Sequence, residues 1–264
     1  MSKAASRLLA LALALAGCVM APAATPTGAP VATPALAPTA APTRTASAAP
    51  TSTETVMPAS SSILSPALNQ ALIDAAEAGD LAGVKTLLAQ GASPAFADGR
   101  GVTALIAAAY ANRVDIAQAL IEAGADVNTQ DRTRQSAYLI STSDGFADLL
   151  RLTLRHGADV RSTDSYNGTG LIRAADRGHV EVIRELLKTN IAIDHVNRLG
   201  WTALLEAIIL GDGGERHTEV VGMLITAGAN VNLADGSGVT PLAHARRRNQ
   251  TRVIALLEAA GAHP

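Results

Sequence analysis

The chain has 264 residues, a formal net charge of −2, a single cysteine and 2% aromatic residues. One cysteine excludes an intramolecular disulfide, and this charge and composition argue against a nucleic-acid partner, which needs basic patches and stacking aromatic rings. The length allows about one or two compact domains.

The first 17 residues have the pattern of an export signal. Lys3 and Arg7 frame the start of an apolar run over residues 8–16, which is shorter than the ~20 apolar residues of a transmembrane helix. Residues 15–18, LAGC, resemble the lipobox of bacterial lipoproteins. The resemblance implies a signal peptide over 1–17 and lipidation of Cys18. An ordinary secreted protein, cut after Ala16 or Ala23, is the alternative.

The residue after the cysteine bears on the membrane that would hold such an anchor. Lipoproteins kept in the inner membrane of enteric-type bacteria often carry Asp at this position, whereas this chain has Val19. The resemblance therefore implies an anchor in the outer membrane and a chain lying in the periplasm. A soluble secreted or periplasmic protein is the alternative.

A tether follows the cysteine. Residues 19–62 contain eight of the 12 prolines of the chain, and Arg44 and Glu54 are their only charged residues. Regular prolines interrupt helices, and so little large apolar surface cannot offset the entropy of ordering. We expect residues 18–66 to be a lipidated cysteine followed by a disordered linker, and residues 67–264 to carry the fold.

Two independent markers repeat through residues 67–264. Gly-Ala pairs start at Gly91, Gly124 and Gly157, a step of 33 residues, and resume at Gly228 and Gly261. A Thr/Ser-x-Leu-like motif, which starts at residues 103, 136, 169, 202 and 240, recurs with the same period and has the same insertion of five residues. A shared period and a shared insertion predict a repeat architecture, in which each unit is stabilised by its neighbours.

The period and its words resemble the ankyrin repeat, a β-turn followed by two antiparallel helices. The resemblance implies an all-α solenoid of about six helix-turn-helix units joined by hairpin loops. We place the units at 67–97, 98–130, 131–163, 164–196, 197–234 and 235–264. The first and last units should act as caps.

Residue chemistry predicts how each unit begins and ends. Thr or Ser before the first helix should accept orphan backbone N–H groups, and glycines such as Gly124 should end the second helix in a left-handed conformation. Asn190, in the unit that lacks this glycine, should replace it there. The family's histidine after Thr-Pro-Leu is absent, and apolar residues should pack in its place; they are Ile106, Leu139, Ile172, Leu205 and Ala243.

No motif of known catalytic chemistry is present, so we predict no enzyme, no cofactor and no metal. His156, His179 and His244 occupy structural positions. The insertion at 211–217 contains Glu215 and His217, which could serve a metal, a partner or, remotely, a hydrolase. Insertions between helices are usually tolerated loops, and we favour that interpretation.

What remains is recognition by the concave face that ankyrin arrays use. We predict a monomeric, non-enzymatic scaffold that binds an envelope protein; an accessory of oxidative-stress defence, associated with a catalase, is the alternative. Trp201 could instead be a buried structural residue. The predicted partner-binding residues are Arg100, Tyr110, Arg132, Gln135, Tyr166, Arg177, Arg198, Leu199, Trp201, Ile209 and Arg247.

Overall fold

The structure is a computed structural model that describes residues 66–263. Cys18, the signal peptide and almost all of the predicted linker lie outside the described residues. Within 66–263, no helix is long and apolar enough to cross a membrane. The helices of this part are α1 (Pro66–Ala78), α2 (Leu81–Ala89), α3 (Ala104–Tyr110), α4 (Val114–Glu122), α5 (Ala137–Asp144), α6 (Ala147–Arg155), α7 (Gly170–Arg177), α8 (Val180–Leu186), α9 (Ala203–Ile209), α10 (Glu215–Thr226), α11 (Pro241–Arg247) and α12 (Thr251–Ala259).

The twelve helices form six pairs, which confirms the all-α repeat array. Each odd-numbered helix packs on the next along the chain, and the odd-numbered helices also pack on one another as a layer of first helices. The even-numbered helices form a second layer in the same order. Two short backbone bridges, Ala97 with Thr103 and Thr163 with Thr169, close hairpins between the pairs.

The first helices begin with the predicted caps. The side chains of Thr103, Ser136, Thr202 and Thr240 accept the backbone N–H three residues on. Each such bond satisfies one of the orphan amides at a helix start and contributes ~1 kcal/mol. Thr169 is the exception, because its buried hydroxyl makes no hydrogen bond.

The second helices end as predicted in the units that carry the glycine. Gly124 has φ +96°, and Ala125 N–H donates to Leu120 C=O at 2.9 Å, the long-range bond of a Schellman motif. Gly91, Gly157, Gly228 and Gly261 also have positive φ. A left-handed glycine therefore stops five of the six second helices.

The prediction for Asn190 is wrong, because this residue is not among those with positive φ. Helix α8 already ends at Leu186, and the chain leaves it through a tight turn. The hydroxyl of Thr189 donates to Leu186 C=O at 2.6 Å and accepts the N–H of Ile191 at 3.3 Å. One side chain thus serves the two groups that a Schellman turn would join directly.

Apolar residues fill the position of the absent histidine, as predicted. Ile106, Leu139, Ile172 and Leu205 are fully buried, and only Ala243, in the last unit, is half-buried. The core has two apolar clusters, one over the first three pairs and one over the last four. Helices α5 and α6 contribute to both clusters, so the buried apolar surface continues through the array.

One junction between units departs from the common pattern. Tyr138 stands where the other units have Leu at the start of the first helix, and its buried hydroxyl makes no hydrogen bond. The next unit has Gly170 where the others have Ala or Pro. A β-carbon at 170 would lie 2.6 Å from the Tyr138 hydroxyl oxygen. The missing side chain of Gly170 therefore makes room for the larger ring of Tyr138.

Candidate functional site

Each hairpin between pairs is organised by one side chain at its base. In the third of these hairpins, Asp164 Oδ1 accepts the backbone N–H groups of Tyr166 and Gly168, both at 2.8 Å. The same two bonds, to the residues two and four positions on, recur at every hairpin base. The bases are Asp98, Asp131, Asp164, Asn197 and Asp235.

At Asp98 and Asp235 these bonds favour the ionised carboxylate. Burial alone would raise the pKa of Asp98, but hydrogen bonds from Val102 and Arg100 outweigh it and leave the pKa below its usual value. Asp235 shows the same balance of burial against bonds from Val239 and His244. The negative charge of a hairpin is thus turned inward, toward its own backbone.

In the last three hairpins, the first helix reaches out to the base residue. Arg173 lies 3.5 Å from Asp164, Glu206 Oε1 accepts from Asn197 Nδ2 at 2.7 Å, and His244 Nε2 lies 2.7 Å from Asp235 Oδ2. The three helix residues occupy equivalent positions in successive units. Each hairpin is therefore tied to the helix that follows it by a polar pair of different chemistry.

The second hairpin is tied from the preceding unit instead. The hydroxyl of Tyr110, at the end of α3, donates to Asp131 Oδ2 at 3.3 Å. Burial, followed by the charge of Asp131, raises the pKa of Tyr110 to about 12. The phenol therefore stays protonated as a donor, although the residue remains 48% exposed.

Neighbouring hairpins are bonded to one another. Arg132 N–H donates to Arg100 C=O at 3.0 Å, and Arg198 N–H donates to Tyr166 C=O at 2.9 Å. The backbones of the fourth and fifth hairpins approach each other closely. A β-carbon at Gly200, which has φ +78°, would lie 2.7 Å from the backbone N atom of Gly236. We call this stack the hairpin-tip row; it comprises residues 98–103, 131–136, 164–169, 197–202 and 235–240.

The large apolar side chains that are exposed in residues 66–263 all lie outside the layer of second helices. They belong to the hairpins or to the ends of first helices, and none to a second helix. They are Tyr110, Tyr166, Val196, Leu199 and Leu210. Exposed apolar groups gathered on one surface typically mark a place where another molecule binds.

Most of the predicted partner-binding residues are accessible. Gln135 and Trp201 are half-buried, so Trp201 is neither fully exposed nor a core residue. Tyr166 and Arg198 meet through their backbones, as their matching positions suggested. The exposed members of the set are Arg100, Tyr110, Arg132, Tyr166, Arg177, Arg198, Leu199 and Arg247.

The prediction that Ile209 is an accessible partner-binding residue is wrong. It is the last residue of α9 and only 8% exposed, whereas Leu210, the C-cap residue, is 48% exposed. Successive residues of a helix point about 100° apart, so the accessible position lies one residue beyond the predicted one. Leu210 was missed because the repeat register alone placed Ile209 at the surface.

In the insertion at 211–217, residues 211–214 form a braced loop after α9, and residues 215–217 are the first turn of α10. His217 Nδ1 lies 3.0 Å from Asp212 Oδ1, and its Nε2 lies 3.1 Å from the carbonyl of Asp176. Gln250 donates to the carbonyls of Ile208 and Gly211. Both ring nitrogens of His217 are occupied by these bonds, which gives it a structural role. Within the part of the chain described, no three His, Cys, Asp or Glu residues cluster as metal ligands.

Glu206 is a buried acid that sequence reasoning did not single out. Burial, and secondarily the charge of Asp176, raises its pKa to about 7, and its Oε2 atom has no hydrogen-bond partner. Glu206 stands between apolar residues of α9, a position that is typical of an ordinary glutamate on an amphipathic helix. A signal was available, however, in the change from Asp to Asn at 197, which removes a charge next to this acid.

A second surface feature lies in the other layer. An open groove runs along the second helices α8, α10 and α12, with Leu187, Met223 and Leu256 among its apolar lining residues. Arg184 and Glu219, which also line it, form an ion pair at 3.2 Å. This groove is the competing surface for a partner.

Known proteins match this architecture over most of the described residues. The ankyrin repeats (3 copies) family matches residues 60–133 and 137–235. The ankyrin repeat protein YahD of Escherichia coli (strain K12) is 46% identical over 74 residues, which are 28% of this chain and 37% of YahD. The chain thus aligns with well under half the length of that relative.

Solved structures cover more of the chain. An ankyrin repeat domain from Acinetobacter baumannii AYE is 49% identical, with a TM-score of 0.71 over 73% of this chain and 98% of that one. The ankyrin repeat protein EF0377 is 33% identical, with a TM-score of 0.69 over 72% and 97%. The human ASB11 ankyrin repeat domain is 31% identical, with a TM-score of 0.62 over 73% and 84%. The chain therefore belongs to the ankyrin repeat family.

Proposed function

We propose that the array is a non-enzymatic scaffold that binds a partner protein through the hairpin-tip row and the adjoining ends of the first helices. The observation that carries the proposal is the position of the exposed large apolar side chains, which all lie outside the layer of second helices. Tyr166 and Leu199 are 45% and 47% exposed on neighbouring hairpins. Aromatic and apolar residues of this kind dominate the energetics of protein interfaces.

We further propose that the chain is a lipoprotein of the bacterial envelope, anchored by Cys18. The support is the LAGC word at the end of an apolar run and the proline-rich residues that follow it. Several acyl chains on one residue would hold the protein stably, because each buried CH₂ contributes ~0.8 kcal/mol. A tether would keep the array close to its membrane and raise its local concentration there.

Site-specific photo-crosslinking in intact bacterial cells tests the binding surface. A photo-reactive amino acid at Tyr166 or Leu199 should yield a discrete crosslinked protein, identified by mass spectrometry. The same group at Arg155 or Arg252, both exposed on second helices, is the matched control and should yield none. Crosslinks from the control positions alone would place the working surface on the second helices.

The Cys18→Ser variant tests the anchor. Because the hydroxyl of serine cannot replace the thiol as lipid acceptor, we expect an uncut precursor or a soluble periplasmic form in place of the membrane-bound protein. Metabolic labelling with a fatty acid and membrane fractionation measure both effects. If the unchanged chain takes up no label and the variant fractionates with it, the chain is not a lipoprotein.

A further inference from the structure

The hairpin-tip row separates its charges by sign. Its acidic side chains are the hairpin bases, which are buried or nearly so and accept backbone N–H groups. Its basic side chains all lie at the exposed tips; they are Arg100, Arg132, Arg134 and Arg198. The row therefore presents only positive charge to an approaching molecule, although the chain as a whole carries a net charge of −2.

Two of the four guanidinium groups are free to bind. Arg100 pairs with Asp98 of its own hairpin at 3.0 Å, and Arg134 donates to Thr163 at 3.3 Å. The side chains of Arg132 and Arg198 make no hydrogen bond or ion pair within residues 66–263. A free guanidinium is a fixed fork of donors that matches a carboxylate with two parallel bonds.

Apolar groups surround one of these free arginines. The Arg198 backbone is bonded to Tyr166, and Leu199 follows it in the same tip. On the adjacent arm, Val196 is 41% exposed, and its carbonyl accepts from Asn167 Nδ2 at 3.2 Å. The third and fourth hairpins thus bring together one cation, Arg198, and three exposed apolar side chains, those of Tyr166, Val196 and Leu199.

We infer that the hairpin-tip row binds an extended segment of a partner protein in which acidic and apolar side chains alternate. This inference rests on the proposed function and specifies the partner's chemistry. Carboxylates of the segment would pair with Arg132 and Arg198, and its apolar side chains would cover Tyr166, Val196 and Leu199. Hydrogen bonds between hairpins hold the row in place before binding, which lowers the entropy lost on association.

Other anions fit the row less well. Nucleic acids and anionic membranes present continuous negative charge, which would extend past the tips. From residue 63 onward the chain has 18 basic and 22 acidic residues, so such a surface would be repelled beyond the row. A short segment with few carboxylates meets the arginines alone.

Binding of synthetic peptides to the full chain tests the inference. The probe is a fluorescein-labelled peptide of repeated Glu-Leu-Gly, followed by fluorescence anisotropy at low and at physiological salt. We expect it to bind at least about tenfold more tightly than the Lys-Leu-Gly and Glu-Ser-Gly peptides, and more weakly as salt rises. The double change Arg132→Glu with Arg198→Glu should reduce binding by at least about tenfold.

A matched control separates specific from general electrostatics. The double change Arg155→Glu with Arg252→Glu alters the net charge equally on the second helices and should change binding less than about twofold. Arg132→Gln with Arg198→Gln repeats the test without new negative charge. Circular dichroism melting verifies that each variant is folded.

The outcomes distinguish a failure of this inference from a failure of the proposed function. Equal or tighter binding of the Lys-Leu-Gly peptide, lost in Tyr166→Ala, would overturn the acidic preference and leave the row as a protein-binding surface. Binding lost only in the Arg155 and Arg252 variant would overturn both. Phosphatidylglycerol vesicles or single-stranded DNA that bind more tightly than the peptide, with the same dependence on Arg132 and Arg198, would exclude a protein segment as the ligand.

Discussion

The hairpin-tip row and the layer of second helices both carry many arginines, but the two surfaces engage them differently. In the layer, Arg151 of α6 forms ion pairs with Asp148 at 2.8 Å and with Glu185 of α8 at 2.9 Å. Arg184 of α8 likewise reaches Glu219 of α10 at 3.2 Å. In the row, the acids bind backbone amides instead, and the side chains of Arg132 and Arg198 have no polar partner within residues 66–263.

The difference shows which surface is prepared for another molecule. Ion pairs between successive second helices join units, although the exposed Arg155 and Arg252 form no ion pair within residues 66–263. The row uses its acids to shape the tips and leaves cations and apolar groups exposed. Residue composition alone would not separate the two surfaces, because each contains Arg beside Asp or Glu.

The largest contrast should appear in partner capture. Truncation of an interface hot spot costs ≥ ~2 kcal/mol, so Tyr166→Ala and Arg198→Ala should each weaken capture by at least about thirtyfold. Glu181→Ala and Arg184→Ala, in the layer, should change it less than about fivefold. Co-purification from crosslinked cells with quantitative mass spectrometry compares the four variants. The opposite ranking would identify the second helices as the binding face.

Beneath the row, Glu206 should make stability depend on pH. Its pKa of about 7 in the folded chain exceeds the ordinary value of 4.5. Between these values the folded chain binds more protons at Glu206 than the unfolded chain does, so the contribution of Glu206 to stability is fully present below pH ~4.5 and is lost as pH rises through ~7.

The Glu206→Gln variant should abolish that loss. We expect the free energy of unfolding of the variant, relative to that of the unchanged chain, to rise by on the order of 1–3 kcal/mol from pH 5 to pH 8. The reason is that Gln keeps the acceptor for Asn197 and carries no charge. Urea unfolding at both pH values measures the difference. Glu215→Gln, at an exposed site of the second helices, is the control. Equal gains at both pH values would show that Glu206 ionises normally.

At the end of the second helix α4, Gly124→Val should destabilise the array through the backbone alone. Gly124 has φ +96°, and a β-carbon there would have no atom within 4 Å. A β-branched residue in this conformation costs ~1–3 kcal/mol. Gly99→Ala, at an open position without positive φ, should be neutral. Thermal melting compares the two, and an unchanged melting temperature for Gly124→Val would contradict the left-handed helix end.

The smallest effect should come from the ion pairs of the layer. Arg151→Ala removes contacts with Asp148 and Glu181, which are exposed, and with Glu185, which is mostly covered, so we expect a smaller loss of stability than for Gly124→Val. The loss should shrink further at high salt. Urea unfolding at low and high salt measures it. A loss as large as that of Gly124→Val, and not reduced by salt, would show that packing of the Arg151 side chain outweighs its charge.

The fold was predictable because two separate sequence motifs recur with the same period. Gly124 and its counterparts mark one helix end, and Thr103 and its counterparts mark the next helix start, so both boundaries were readable. Asn190 was misjudged, because the hydroxyl of the preceding residue, Thr189, met the same hydrogen-bonding need. Local satisfaction of backbone groups has several solutions, and sequence position alone does not select among them.

The candidate site was predictable only in part. The repeat register located the tips, including Arg132 and Arg198, but which arginines lack a partner depends on three-dimensional pairing. The prediction for Ile209 was wrong because the repeat register locates the end of the helix but does not show in which direction its last residue points. Glu206 was missed because its neighbours, Asp176 and Asn197, come from another helix and a hairpin.

The pair of Tyr138 and Gly170 means that the units are not interchangeable parts. A unit that presents Tyr138 requires a successor without a β-carbon at the start of its first helix, and only the unit with Gly170 meets that condition among those described. Shuffling or duplicating the third unit would place an Ala or Pro against the tyrosine hydroxyl. The order of the units is thus constrained at this one junction, whereas the other units share Ala or Pro at the start of the first helix and Leu two residues after the cap.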